Sequence, residues 1–118
     1  MSNVTTKPSD LAVAIARCEG FFVPHSLPNR CNNPGDLEVG NVGFGICEGK
    51  TIFRSDVDGW AALERELDLI RSGQSRYYTP GMTISAFATI YSGGDLHYGQ
   101  MLAEILNTTP DAQLSTVL

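Results

Sequence analysis

Apolar residues recur at helical spacing in four stretches of this chain, and turn-forming residues crowd the segment between the first two. Leu11, Ala14, Ile15 and Cys18 follow the i, i+3, i+4, i+7 stripe of a helix buried on one face, with Ser9 placed to cap its start and Gly20 to end it. Trp60, Leu63, Leu67 and Ile70 predict a second helix from Val57 to Ser72, with Glu64, Arg65 and Asp68 on its wet side and Gly73 as its stop. A third stripe runs through Ile84, Phe87, Ala88 and Tyr91 to the Gly93-Gly94 stop. A fourth carries Tyr98, Met101, Leu102, Ile105 and Leu106. Thr109 as cap and Pro110 at the first helical position mark a short terminal helix. From Phe21 to Gly49 turn formers dominate, and "VGNVGFGICEGKTIFRS" reads as a hairpin with strands Val42–Ile46 and Thr51–Arg54. The pattern predicts a mainly helical α+β protein with a small β-hairpin element after the first helix. Residues 1–8 read as a disordered tail and 9–118 as a single domain.

Composition narrows the partners more than the fold. A chain of 118 residues with 42% hydrophobic content can build a modest core without metal or disulfides. The net charge is -5, and the eight basic residues are scattered. Phosphate binding needs a clustered basic surface, so nucleic acid is not expected as a partner. Polar residues interrupt every long apolar run, so no membrane insertion is expected, and the first twenty residues lack the apolar core of a signal peptide. Three cysteines exclude a fully paired framework. Cys18 lies on the apolar face of the first helix as a small core residue, whereas Cys31 and Cys47 form a pair if the compartment is oxidising.

Several chemical signatures fail on spacing. "GFGICEGKT" resembles a phosphate loop, but Phe44 stands where the first glycine is required, and the segment after Thr51 reads as a strand rather than a helix. His25 and His97 accompany the thiols without any local context for a Cys/His nucleophile. They also lie far apart, with no ligand spacing beside them, so no metal and no cofactor are expected.

Glu19 is different. A carboxylate at the negative end of its own helix is disfavoured, and Phe21, Phe22 and Leu27 are placed to strip water from it. Both effects favour the protonated acid, which is what donation to a glycosidic oxygen requires. The bland alternative is a solvated glutamate in a last helical turn. Shortly after it, "NNPGDL" puts Pro34-Gly35 at the centre of a type II turn, with Asn32 and Asn33 beside it. Those carboxamides either bind sugar hydroxyls and N-acetyl groups or hold the loop through its backbone.

A helix ending in Glu-Gly-Phe, a Ser-Leu-Pro segment and Asn-Asn-Pro-Gly-x-Leu together resemble the lysozyme-like superfamily. The likeness is to small bacterial and phage proteins related to lytic transglycosylases and goose-type lysozymes. It continues in "TIFRSDVDGWAALERELDLI", "MTISAFATIYSGGD" and "TTPDAQLS", covering roughly residues 10–116. The resemblance implies a lysozyme-like fold and cleavage of the β-1,4 bond between N-acetylmuramic acid and N-acetylglucosamine in a peptidoglycan strand. It makes Glu19 the general acid, lines the cleft with Asn33, Gly35 and Tyr91, and implies a site of action in the periplasm, the cell wall or a virion. Asn32 joins them as a substrate-positioning candidate. Asp36, Glu38 and Glu48 are the candidates for a second carboxylate, and Asp36 stands where the related pattern usually carries asparagine. Without a second carboxylate in the cleft, one glutamate acting as acid and then base, as in lytic transglycosylases, is the economical chemistry. The other reading is a catalytically silent wall-binding or virion protein on the same fold; a partner-binding protein with an exposed groove is a third.

Overall fold

The structure, a computed structural model, describes residues 7–38 and 45–118. Among these the chain forms five α-helices, a two-stranded antiparallel sheet and a terminal 3-10 turn, an α+β arrangement. Of the expected tail, residues 1–6 lie outside the described set, as do Val42–Phe44 of the expected first strand.

Helix α1 (Asp10–Glu19) begins where Ser9 Oγ accepts the Ala12 N–H at 3.2 Å and ends at Gly20, whose φ of 80° is the left-handed cap conformation. The short α2 (Leu27–Arg30) follows Ser26, which caps it in the same way. Strand β1 (Gly45–Cys47) pairs with β2 (Lys50–Ile52) in the register Gly45↔Ile52, Ile46↔Thr51, Cys47↔Lys50. Glu48 and Gly49 between them both take positive φ, the geometry of a tight two-residue hairpin turn. The second strand ends earlier than predicted because Phe53 leaves the sheet, is buried, and donates its N–H to the Cys31 carbonyl.

Helix α3 (Asp56–Arg71) is capped by Ser55, and α4 (Ile84–Tyr91) by Thr83. Helix α5 (Tyr98–Ile105) packs most extensively on α4. The core is one cluster built from Leu11, Ile15, Leu63, Leu67, Phe87 and Leu102 with their neighbours, and a small satellite of Leu37, Phe53 and Ala62 sits under the hairpin. Glu64, expected on the wet side of α3, instead accepts the Ser9 N–H at 2.6 Å and bridges α3 to the start of α1.

Two expectations for the C-terminal region are corrected. Met101 and Ile105 are 41% and 40% exposed rather than buried. Helix α5 turns Tyr98, Gly99, Leu102 and Ala103 inward, because α4 comes so close that a Cβ on Gly99 would stand 3.1 Å from Ser85 Cα. The contact therefore centres on the small residues, and the predicted stripe is rotated toward solvent. Residues 109–112 form a turn rather than the start of a helix, and only Leu114–Thr116 are 3-10 helical. The carbonyls of Pro110 and Ala112 accept the N–H groups of Ser85 and Ile84, each at 2.9 Å. This segment is used to satisfy the orphan donors of the first turn of α4.

Candidate active site

Glu19, the last residue of α1, faces a groove of about 680 Å³ whose walls come from α1, the bend after α2, β2, α3, α4 and α5. Its Oε2 accepts the Tyr98 hydroxyl from α5 at 2.6 Å, a contact spanning 79 residues of chain. The Asp36 side chain lies within hydrogen-bonding reach of the same carboxyl from the bend. Burial is the main cause that raises Glu19 from 4.5 to about 7. The Tyr98 hydroxyl opposes this, the charge of Asp36 reinforces it, and the charge of Lys50 opposes it. The rings involved are not the expected ones. Phe21 and Phe22 stack on Trp60 at centroid distances of 5.4 and 6.2 Å, and neither they nor Leu27 line the groove. Burial and the nearby carboxyl also keep Tyr91 and Tyr98 protonated far above the usual tyrosine range, so both hydroxyls remain donors.

The bend supplies the opposite wall. Asp36 N–H returns to the Asn33 carbonyl at 3.0 Å, closing a turn around Pro34-Gly35. It is not the predicted type II turn, since Gly35 avoids the positive φ that type requires, and Asp36 adopts φ 51° instead. Glycine is needed at 35 for space: a Cβ there would meet Leu63 Cδ1 at 2.8 Å and the Tyr91 hydroxyl at 3.0 Å. Tyr91 donates that hydroxyl to the Gly35 carbonyl at 2.5 Å, pinning α4 to the bend.

Of the two roles open to the carboxamides, the structure gives both to the loop. Asn33 is 0% exposed, donates to the Leu37 and Thr51 carbonyls at 2.9 Å each, and accepts the Leu37 N–H at 2.9 Å. Asn32 donates to the Phe53 carbonyl at 3.0 Å. Neither lines the groove. Gly35 and Tyr91 do line it.

The three candidate second carboxylates part company. Asp36 and Glu38 line the groove. Asp36 forms an ion pair with Lys50 at 3.2 Å, and the Lys50 ammonium also reaches the Asp36 carbonyl at 3.2 Å. Glu48 sits in the exposed hairpin turn, 3.8 Å from Arg30 and away from the groove. Cys18 forms part of the wall, and burial pushes its thiol up to about 11, leaving it an inert apolar surface. Neither histidine lines the groove. Among the described residues no group of three or more His, Cys, Asp or Glu side chains could hold a metal ion, and no helix is long and apolar enough to cross a membrane.

Two members of the site had no signal of their own in the sequence. Tyr98 read as one apolar position in a stripe, although a phenol on a buried face needs a partner for its hydroxyl and so hints at one. Lys50 read only as a failed phosphate-loop lysine.

Compared with known proteins, the chain matches no family model, no curated protein and no solved structure.

Proposed function

We propose that this chain cleaves peptidoglycan glycan strands at the β-1,4 bond between N-acetylmuramic acid and N-acetylglucosamine, on a lysozyme-like fold, with Glu19 as general acid. The observation that carries the reading is a carboxyl raised to about 7, held by a tyrosine hydroxyl at 2.6 Å and open to a groove. Such an acid keeps a large protonated fraction, about half, at neutral pH, yet is acidic enough to release its proton to a leaving oxygen. Further support comes from the order of elements: a helix ending on the acid, a rigid bend, a hairpin, then the helices that close the groove.

In this reading Glu19 protonates the glycosidic oxygen as the C1–O bond breaks. The oxocarbenium-like charge is met by the groove's carboxylates and by the substrate's own N-acetyl group. Asp36 is too close to Glu19 to stand across a sugar from it. Carboxyls that flank a scissile bond are separated by roughly 5 Å or more, whereas these two lie within hydrogen-bonding reach of each other. The contact removes Asp36 from that role and suits a single glutamate acting first as acid and then as base, the lytic transglycosylase course; Glu38, which also lines the groove, is the carboxylate that a muramidase course would use. Purified sacculi digested with wild type and with Glu19→Gln provide the test. Wild type is expected to release fragments ending in anhydromuramic acid, and equal release by both proteins discards the role of Glu19. Reducing ends instead of anhydro ends point to muramidase chemistry. Retention on sacculi without any product selects the silent wall-binding protein.

A further inference from the structure

The groove leaves one polar atom without explanation. Among the described residues Asp36 Oδ1 is buried and receives no hydrogen bond from any donor, although its partner Oδ2 is paired with Lys50. A buried acceptor left unmet is costly, of order 1–3 kcal/mol. The group beside it is the Glu19 carboxyl, which lies within hydrogen-bonding reach of the Asp36 side chain while its Oε2 is occupied by Tyr98. A proton on the remaining Glu19 oxygen satisfies both carboxyls at once.

We propose that Asp36, anchored by Lys50, is the positioning residue for the Glu19 proton: in the resting site that proton lies between Glu19 and Asp36 Oδ1, and substrate replaces Asp36 as its acceptor. The idea rests on the glycan-cleavage reading and adds to it a division of labour. When Glu19 gives its proton to the glycosidic oxygen, the C1–O bond breaks and the leaving sugar departs with a new hydroxyl. Glu19 is then an anion in contact with a second carboxylate. Like charge makes it a stronger base, suited to take a proton back from the sugar hydroxyl or water that captures C1. One neighbour therefore serves both halves of the cycle. Glu38, Glu66, Arg76 and Asp95 also line the groove, but the groups that act on Glu19 are Tyr98, Asp36 and Lys50. Tyr98 from α5 donates to Glu19, Tyr91 from α4 donates to Gly35, Cys18 on α1 is a protonated thiol, and Lys50 from β2 works against Asp36.

This opposition gives the test. Asp36→Asn keeps the shape and suits the positive φ at this position, since asparagine tolerates it well. Lys50→Met removes the anchoring charge from a strand residue whose backbone pairing is unaffected. The Glu19 carboxyl is followed by carbon NMR across pH in wild type and both variants, alongside the pH dependence of sacculus cleavage. Asp36→Asn is expected to lower the Glu19 midpoint by about one pH unit and Lys50→Met to raise it by a similar amount, with the alkaline limb of activity moving the same way in each. A merely structural role predicts no such divergence. Midpoints that stay in place, or that move together, overturn the proposal. If the midpoints diverge while wild type releases no glycan, the pairing stands and the substrate reading fails. If wild type cleaves and the midpoints stay in place, the substrate reading stands and the pairing fails.

Discussion

Replacing Glu19 with glutamine keeps the length and shape of the side chain, and the amide can still accept from Tyr98 and donate to Asp36. What it removes is the proton equilibrium. Wild-type Glu19 gains from folding only while it is neutral, because its pKa rises from 4.5 to about 7 in the folded chain. Its contribution is therefore fully present below pH 4.5 and is lost as pH climbs through about 7. The rise from 4.5 to about 7, at about 1.4 kcal/mol per pH unit, corresponds to roughly 3 kcal/mol, reduced to about 2 kcal/mol because the half-buried carboxyl keeps some contact with water. Glu19→Gln should thus gain about 2 kcal/mol relative to wild type between roughly pH 5 and pH 8. Urea unfolding of both proteins at those two pH values measures it, since titrations shared by the pair cancel in the difference. A stability difference that does not change with pH, or that moves in favour of wild type as pH rises, would refute the assignment of Glu19 to a desolvated site. The result does not depend on any substrate.

Asn33→Ala removes three hydrogen bonds, taking the Asn33 partner from the Leu37 N–H and the Thr51 carbonyl while the Leu37 carbonyl keeps the Thr51 N–H, so a loss of about 3 kcal/mol in denaturant unfolding is expected; a loss within error of zero contradicts its role as the loop's anchor. Gly59→Ala drives a Cβ to 1.9 Å from the Asn32 carbonyl oxygen and should cost about 2 kcal/mol or more, seen as a lower urea midpoint, with the bend displaced from α3. The Cys31 and Cys47 thiols lie within hydrogen-bonding reach of each other. Incubation with oxidised glutathione should leave one titratable thiol of three and lower the mass by that of two hydrogens. The closed ring of roughly 15 residues should add about 3 kcal/mol of stability; three thiols still titrating afterwards rule the pairing out.

Features decided within a few residues were legible in the sequence. Ser9 and Gly20 bound the first helix because capping chemistry is local, and the two-residue hairpin turn lies in the glycine-rich stretch that reads as a turn. What depended on a distant neighbour was not. Met101 and Ile105 share the helical spacing of Leu102, and only the close approach of α4 at Gly99 decides which arc of α5 is covered. Thr109-Pro110 has the composition of a helix start, yet the carbonyls of Pro110 and Ala112 are taken by α4. The site divides in the same way. Glu19 stands out through its place at a helix end before a turn-rich stretch, but the residues around its carboxyl come from the bend, the hairpin and α5, 17, 31 and 79 positions further along. Asn33 left both roles open, sugar contact or loop anchor, because an amide on a bend reads alike whether its partner is a hydroxyl or the chain itself.

The contact between Tyr98 and Glu19 makes the acid a gauge of its own surroundings. Its ionisation depends on α5, the bend and the hairpin all being seated, so any excursion that lifts one of them lets water in and sends the carboxyl back toward the value of a free glutamate. A single carbon resonance followed against pH would then report local opening at the groove well before global unfolding begins.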